Sequence, residues 1–261
     1  MNDSPSITTD RLTKRYGSNT AVEQLDLAIP SGAIYGFLGP NGAGKTTTIR
    51  MLTTLITPTE GTAHIMGESI TDRPAVIPHI GYLPEKPPIY DELTAREQLE
   101  YHGGLCDMAP SDIEDQITSL LDRFDLTDDA DDRISTYSKG MKQKTGLIQA
   151  LMHRPDVVIL DEPTSGLDPQ AARTVRDTIN ELAASDTTVF LSTHILPLVE
   201  EVATEVGILY DGELVAEGPP DALKERMETG EEGTLEDVFL DVTTDTTYDG
   251  QAEADPSGKI E

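Results

Sequence analysis

The sequence contains little cysteine, tryptophan or positive charge, and each shortage excludes a class of protein. A single cysteine, Cys106, in 261 residues excludes an internal disulfide and favours a reducing compartment. Tryptophan is absent and aromatic residues make up 5% of the chain, so no stacking platform for single-stranded nucleic acid is indicated. No apolar run approaches the ~20 residues that span a bilayer, and the first ten residues do not resemble a signal peptide. We therefore expect a soluble intracellular protein.

Positive charge is scarce along the whole chain. The 19 lysine and arginine residues stand against 48 aspartate and glutamate residues, for a formal net charge of −29 at pH 7. A surface of this kind repels phosphate backbones and anionic lipid head groups. Because molar salt shortens the Debye length from about 8 Å to about 3 Å, such an excess is tolerated best in molar salt. We expect a halophilic source, and the alternative is an ordinary acidic cytosolic protein.

Strand and helix patterns alternate, which predicts an α/β fold with a mainly parallel sheet. The segment Ile7–Ile29 reads as two strands joined by a turn at residues 16–19. Further strands are predicted at residues 33–38, 61–66, 80–83, 157–160, 187–191 and 206–210, the last of these completing the central set. Helices are predicted from Gly44 to a stop at Pro58, from Thr94 through Tyr101, and after Asp168, and the chain between Tyr101 and about Arg133 also reads as helical.

These patterns predict one domain with a lobe and a tail. The domain covers residues 1–242, and its helical lobe lies at about residues 86–150. Residues 243–261 are acidic and polar, with Gly and Pro, and we expect this tail to be disordered.

The strongest motif is a glycine-rich loop between a predicted strand and a predicted helix. Its residues are Gly39, Pro40, Asn41, Gly42, Ala43, Gly44, Lys45, Thr46 and Thr47. They fit the phosphate-loop pattern G-x-x-x-x-G-K-[ST], in which backbone N–H groups and a helix N-terminus surround phosphates. Lys45 is placed to contact the outer phosphates, and the Thr46 hydroxyl is placed to bind Mg²⁺. The sequence therefore predicts a site for a nucleotide phosphate chain.

Two acids follow a strand predicted to be buried on both faces. The apolar run Val157–Leu160 ends at Asp161 and Glu162, and burying acids there is costly unless they meet a cation or a polarised water. Asp161 suits the shell of Mg²⁺, and Glu162 suits the general base that activates an attacking water. The pair predicts hydrolysis of the bound nucleotide.

With the phosphate loop, the segment Asp161–Asp168 closely resembles the nucleotide-binding domains of ABC transporters, and the resemblance runs from about Ile7 to Leu240. It implies a P-loop NTPase core with a mainly parallel sheet, an N-terminal antiparallel β-subdomain and an inserted helical lobe, so that residues 1–242 form an ABC ATP-binding domain. It also implies ATP as the substrate and Mg²⁺ as the cofactor.

A lysine-rich segment occupies the place of the family signature, usually written L-S-G-G-Q. The segment Tyr137–Lys144 departs from that pattern at three positions and keeps its serine and second glycine. In the family this segment closes on the γ-phosphate bound by a second subunit. The resemblance therefore implies a site for the partner's ATP, with both lysines adding positive charge, formed by Ser138, Lys139, Gly140, Met141 and Lys142.

The resemblance assigns roles to four further residues. Tyr16 corresponds to an aromatic residue that stacks on adenine, although a core tyrosine in a turn would look the same. Glu85 stands where the family generally has a glutamine that touches Mg²⁺ and senses the γ-phosphate. His194 resembles the histidine that holds the γ-phosphate and the attacking water. Asp168 resembles a residue that bridges the two subunits, and it also suits the N-cap of its own helix.

The segment 235–240 and the signature resemble ATP-binding subunits of ABC-2 type, which are mostly exporters of drugs, antibiotics or polysaccharides. This implies an ATPase that powers export by ATP-driven dimerisation, as a homodimer or with a paired ATPase subunit. Separate membrane permease subunits would hold it at the cytoplasmic face of the membrane, and no nucleic-acid partner is expected. The alternative is a soluble, non-transport ABC ATPase that acts in Fe–S assembly or on DNA or ribosomes.

Overall fold

The computed structural model describes residues 5–225 and 234–244, which form strands alternating with helices. The strands are β1 (Ile7–Tyr16), β2 (Asn19–Ile29), β3 (Ile34–Leu38), β4 (Glu60–Ile65), β5 (Glu68–Ser69), β6 (Ile80–Leu83), β7 (Val157–Asp161), β8 (Thr188–Ser192), β9 (Glu205–Tyr210) and β10 (Glu213–Gly218). The helices are α1 (Lys45–Leu52), α2 (Arg73–Val76), α3 (Ala95–Leu105), α4 (Pro110–Arg123), α5 (Lys139–Leu151), α6 (Pro169–Ala184), α7 (Leu196–Val202), α8 (Pro220–Glu225) and α9 (Leu235–Thr244).

The strands form two sheets. The first is antiparallel, in the order β2-β1-β4-β5. The second has the order β10-β9-β3-β8-β7-β6, and its strands are parallel except for β10, which pairs with β9 in the antiparallel sense. The predicted mainly parallel sheet and the predicted N-terminal antiparallel sheet are both confirmed.

The parallel strands are buried because each face of the second sheet packs against a different core. In β3, Tyr35 and Phe37 point into a core shared with α1 and the antiparallel sheet, and Phe190 of β8 joins them there. Ile34 and Leu38 point to the opposite face, into a core shared with helices α3 to α7. Side chains alternate across a strand, so a strand between two cores has no polar face. This explains the unbroken apolar runs in the sequence.

Between Thr94 and about Arg133, where the sequence predicts a helical stretch, the lobe contains two separate helices. The predicted capping box at the start of α3 is confirmed, because Thr94 and Glu97 exchange hydrogen bonds of 3.1 and 2.9 Å. However, α3 ends at Leu105, where Asp107 adopts a left-handed φ of 55°, and Pro110 then begins α4. Proline lacks the N–H that a continuing helix needs, whereas the first helical position does not require it.

Three other segment boundaries differ from those predicted: the end of a helix, the last strand of the central set and the start of the tail. Helix α1 stops at Leu52 rather than near Pro58, because Thr54 takes a left-handed φ of 60°. Strand β9 is not the last of the central set, since Asp211 and Gly212 both have positive φ and turn the chain into β10. The predicted tail begins too early, because Thr243 still lies in α9. Residues 245–261 of that tail lie outside the described residues.

Candidate functional site

The predicted site residues meet at one edge of the parallel sheet. The phosphate loop follows β3, His194 follows β8, Glu162 follows β7 and Glu85 follows β6. These strands are consecutive neighbours in the sheet, in the order β3-β8-β7-β6. Because all of them are parallel, their carboxyl ends lie along the same edge, which is where open α/β sheets bind ligands.

The phosphate loop is held where only glycine fits. Gly44 precedes α1 with a left-handed φ of 111°, and a Cβ there would lie 2.3 Å from the carbonyl oxygen of Ala21. A Cβ on Gly39 would lie 2.4 Å from the carbonyl oxygen of Leu209. Such distances are far inside van der Waals contact, so any side chain would push the loop away from β2 and β9. The loop is therefore anchored by its neighbours on both sides.

The Lys45 side chain folds back over this loop. Only 8% of Lys45 is exposed, and its ammonium donates to the carbonyl oxygen of Gly39 and, at 3.2 Å, to that of Pro40. Burial lowers the pKa of Lys45, and the negative charges of Glu162 and Asp161 oppose that shift. The loop thus carries a buried cation next to two acids.

Asp161 ends β7 as a buried carboxyl group, 6% exposed. Burial raises the pKa of Asp161, and the nearby charges of Glu162 and Glu85 raise it further. Thr46 lies on the first turn of α1, so hydroxyl and carboxylate oxygens are available at this edge. Oxygen donors are the ligands that Mg²⁺ prefers, so the residues predicted to bind this ion fit it.

Glu162 is held by two side chains of the segment that follows β8. Its Oε2 accepts a hydrogen bond from the Thr193 hydroxyl at 2.9 Å, and its Oε1 lies 2.8 Å from Nδ1 of His194. Its backbone N–H donates to the carbonyl oxygen of Ser192 at 2.8 Å, and its φ of 50° is left-handed. Strained backbone of this kind is concentrated at functional sites.

Thr193 is a residue of this site to which sequence reasoning assigned no role. It lies between the strand end and the predicted histidine, and it is fully buried. Its hydroxyl also accepts a hydrogen bond from the backbone N–H of Ile195 at 3.1 Å. The sequence did contain a signal for Thr193, because a hydroxyl residue stands there at the end of a predicted buried strand and directly before His194.

The signature segment begins α5, as predicted. Ser138 is the N-cap, and its hydroxyl accepts from the backbone N–H of Met141 at 3.2 Å. Tyr137, which replaces the usual leucine, is buried and donates its hydroxyl to the carbonyl oxygen of Asp129 at 2.6 Å. Gly140 lies against Ala171 of α6.

The two signature lysines differ in their surroundings. Lys142 forms an ion pair with Asp91 at 2.6 Å, so part of the positive charge expected from the two lysines is balanced by a neighbouring acid. Lys139 is exposed and its ammonium lies against Gly166. The positive charge of this segment is therefore supplied mainly by Lys139 and the helix N-terminus.

The signature end of α5 and the phosphate loop share an edge of the sheet but lie apart. Helix α5 packs along β6, with Gly146 against Leu83 at the end of that strand. The helix before Gly146 therefore projects about 10 Å past the edge. Strand β6 is the third neighbour of β3 in the sheet, so roughly 14 Å separate these two strands. The phosphate loop and the signature of one chain are thus placed at different points of the edge.

Tyr16 and Asp168 complete the predicted set. Tyr16 ends β1 and is 49% exposed, with the Lys14 ammonium 5.3 Å from its ring centre, so it is not a core residue. Asp168 caps α6, as predicted, because its Oδ1 accepts from the backbone N–H groups of Gln170 and Ala171 at 2.9 and 3.0 Å.

Comparison with known proteins identifies the family. Residues 22–165 match the family model described as ABC transporter. The chain is 41% identical over 222 residues to the bacitracin transport ATP-binding protein BcrA of Bacillus licheniformis, covering 84% of this chain and 72% of that protein. It is 37% identical over 230 residues to the daunorubicin/doxorubicin resistance ATP-binding protein DrrA of Streptomyces peucetius, covering 87% of this chain and 70% of that protein.

A solved structure of an ATP-binding subunit of an ABC transporter has the same fold. It superimposes with a TM-score of 0.83 and 30% identity, covering 90% of this chain and 98% of that one. Among the helices of residues 5–225 and 234–244, none combines the length and apolar character needed to cross a bilayer. The phosphate loop, the two acids after β7 and these similarities together show that the chain is an ATPase that belongs to the family of ABC transporter ATP-binding subunits.

Proposed function

We propose that this chain is the ATP-hydrolysing subunit of an ABC exporter and works as a dimer at the cytoplasmic face of a membrane. The observation that carries the proposal is the meeting of Lys45, Glu162 and His194 at one sheet edge. The relatives above act, as their names state, in bacitracin transport and daunorubicin/doxorubicin resistance. They favour an exporter over the soluble alternative in Fe–S assembly or on DNA or ribosomes.

ATP would bind with its phosphates in the loop Gly39–Thr47. The Lys45 ammonium already contacts two carbonyl oxygens of the loop, and phosphate oxygens are stronger partners for the same cation. The N-terminus of α1 adds partial positive charge at the same point. Tyr16 is exposed at the end of β1, so its ring is accessible for stacking on adenine.

Mg²⁺ would be held by oxygen atoms of Thr46, Asp161 and Glu85. Asp161 is the buried member of this set, and a cation offsets the cost of ionising its carboxyl group there. Glu85 is exposed at the end of β6 and within electrostatic range of Asp161. When bound, the ion would neutralise negative charge on the phosphates.

Glu162 would accept the proton of the attacking water. Thr193 and His194 each contact one of its carboxylate oxygens, which fixes the direction in which the carboxylate faces. A general base must hold its acceptor oxygen within hydrogen-bond reach of the water, so this fixation matters for rate. His194 is otherwise exposed, which leaves it accessible to the γ-phosphate.

The signature would act on ATP bound to a second subunit. Ser138, Lys139 and Gly140 lie at the exposed start of α5, a helix that packs along β6, whereas the phosphate loop follows β3, three strands away in the sheet. An exposed helix N-terminus attracts anions. A second copy, or a paired ATPase subunit, would bring its bound γ-phosphate to this point, and Asp168 would lie near the same junction.

Association with a permease tests the exporter proposal. We expect the chain to sediment with membranes when it is co-expressed with a six-span membrane protein encoded next to it, and to stay in the supernatant when expressed alone. The measurement is the fraction of chain in washed membranes, with an unrelated six-span protein as the control. Equal distribution with and without the neighbouring membrane protein would argue for the soluble alternative.

The acidic surface leads to a second expectation, which concerns salt. If the net charge of −29 reflects adaptation to molar salt, repulsion between carboxylates should fall as salt screens them. The Tm should then rise by about 10 °C between about 0.1 M and about 2 M KCl, which corresponds to ~3–5 kcal/mol for a chain of this size. A non-ionic osmolyte at equal osmolality serves as the control. A Tm that stays flat or falls in KCl would remove the halophile interpretation.

A further inference from the structure

A cavity of about 760 Å³ lies between the helical lobe and the outer strand of the parallel sheet. Helix α3 contributes Leu105 to its wall, and strand β6 contributes Ile80 and Tyr82. Three of its lining side chains bring nitrogen or sulfur donor atoms close together, and the ATP site uses none of them: His102, Cys106 and His153.

The three donor atoms are already close together. Cys106 directly follows the last residue of α3, one helical turn after His102, so the two share a face, and His102 Nε2 lies 3.5 Å from Cys106 Sγ. His153 follows α5, and its donor atom lies within 4.8 Å of the other two. Tetrahedral zinc with bonds of about 2.0–2.3 Å separates its ligand atoms by roughly 3.3–3.8 Å. One pair therefore has the required spacing, and the third atom lies at most about 1 Å beyond it.

One ring nitrogen of His153 lies buried without a hydrogen-bond partner in the described part of the chain. Its Nε2 lies 3.0 Å from the carbonyl oxygen of Ile80, and a carbonyl can only accept, so Nε2 carries the proton. This leaves the lone pair on Nδ1, a buried atom with no hydrogen-bond partner among the described residues. Burying an unsatisfied acceptor is costly. Metal-binding histidines commonly have this arrangement, with the second nitrogen held by a carbonyl group.

The protonation state of the two histidines agrees with this geometry. Burial and the nearby His153 lower the pKa of His102 to about 4, and burial lowers the pKa of His153. Both shifts favour the neutral ring, which is the form that binds a metal.

We propose that His102, Cys106 and His153 bind one transition-metal cation of the zinc class, with a fourth position open to water from the cavity. Nitrogen and sulfur donors select such a cation over Mg²⁺, so the site is distinct from the oxygen-lined site beside the phosphate loop. The bound ion would connect α3 of the helical lobe to the α5–β7 turn and, through Ile80, to β6. The ion would crosslink the helical lobe to the sheet.

Zinc titration of the full chain tests this site. The protein, free of any affinity tag and nucleotide, is titrated with Zn²⁺ against a chromophoric chelator in KCl and excess Mg²⁺, which saturate weak acidic sites. We expect one tight Zn²⁺ per chain, and at least a 100-fold weaker Kd in Cys106→Ser and in His153→Ala. Removing a residue that only hydrogen-bonds to a metal ligand lowers metal affinity by about 10–100-fold, so removing a direct ligand should lower it more. His64→Ala, a histidine of β4 outside the cluster, should bind like the wild type.

Cobalt provides a readout that depends on the sulfur ligand. Co²⁺ added to the wild type should give a thiolate charge-transfer band that is absent in Cys106→Ser, while circular dichroism confirms that the variant is folded. The proposal is overturned if the wild type binds no tight Zn²⁺. It is equally overturned if folded Cys106→Ser and His153→Ala bind as tightly as the wild type. In either case the contact between His102 and Cys106 would be a packing contact of the lobe.

Discussion

Replacing Glu162 by glutamine is expected to lower steady-state ATP turnover by about 10²–10⁴-fold, the usual loss when a general base is removed. Glutamine keeps the size of the side chain and can still accept the hydrogen bond from Thr193 that Oε2 accepts at 2.9 Å. It cannot take a proton from water. ATP affinity should survive or increase, because one negative charge near the phosphates is removed. Phosphate release and equilibrium nucleotide binding measure the two quantities separately.

A glutamate-to-glutamine substitution outside the site serves as the control, because it also removes one carboxylate charge from the protein. Glu201 pairs with Arg176 at 2.8 Å on the exposed side of α7, so Glu201→Gln should keep the wild-type turnover within a factor of about two. A Glu162→Gln enzyme that turned over ATP at the wild-type rate would show that another group accepts the proton. A loss of nucleotide binding in this variant would instead assign Glu162 to the binding of ATP.

Arginine at position 138 is expected to reduce turnover by about 10²-fold or more while each chain still binds ATP. Ser138 lies at the exposed start of α5, away from the phosphate loop of its own chain, so a bulky side chain there leaves that loop intact. The arginine side chain would occupy the space that the partner's γ-phosphate needs. Displacing a reacting group by about 1 Å can lower the rate by about 10²-fold. Turnover and nucleotide affinity, measured side by side, separate the two effects.

Ser135→Arg is the control for this change. Ser135 is exposed and lies three residues before Ser138, just outside the signature segment Tyr137–Lys144, so this variant adds the same charge and bulk outside the proposed site. It should keep most of its turnover. Equal losses in the two variants would mean that the segment tolerates no bulky cation, and would remove support for a specific role of Ser138.

The sequence predicted the positions of the candidate residues in the fold well where the pattern is local. The loop from Gly39 to Thr47 carries its own geometry in its glycines, and Asp161 and Glu162 follow a strand whose apolar run marks it as buried. Because parallel strands end at one edge, these local motifs were sufficient to bring the predicted residues together.

The sequence predicted less where contacts form between distant segments. The charge of Lys142 is paired by Asp91, and the carboxylate of Glu162 is held by Thr193, and neither pairing has a local pattern. His102 and His153 meet only because α3 packs beside the end of α5. Helix ends were also missed, since a left-handed residue such as Asp107 can end a helix without a glycine.

The mass of the Glu162→Gln protein in the presence of ATP and Mg²⁺ tests the central claim, a composite site between two chains, most directly. Without hydrolysis the two bound nucleotides should keep bridging the subunits, so light scattering after size exclusion should show a dimer with ATP and a monomer without it. Ser138→Arg in the same background should return it to a monomer, and Ser135→Arg should not. A Glu162→Gln protein that binds ATP yet stays monomeric, at tens of micromolar chain in high salt, would contradict the composite site and the dimer-driven mechanism.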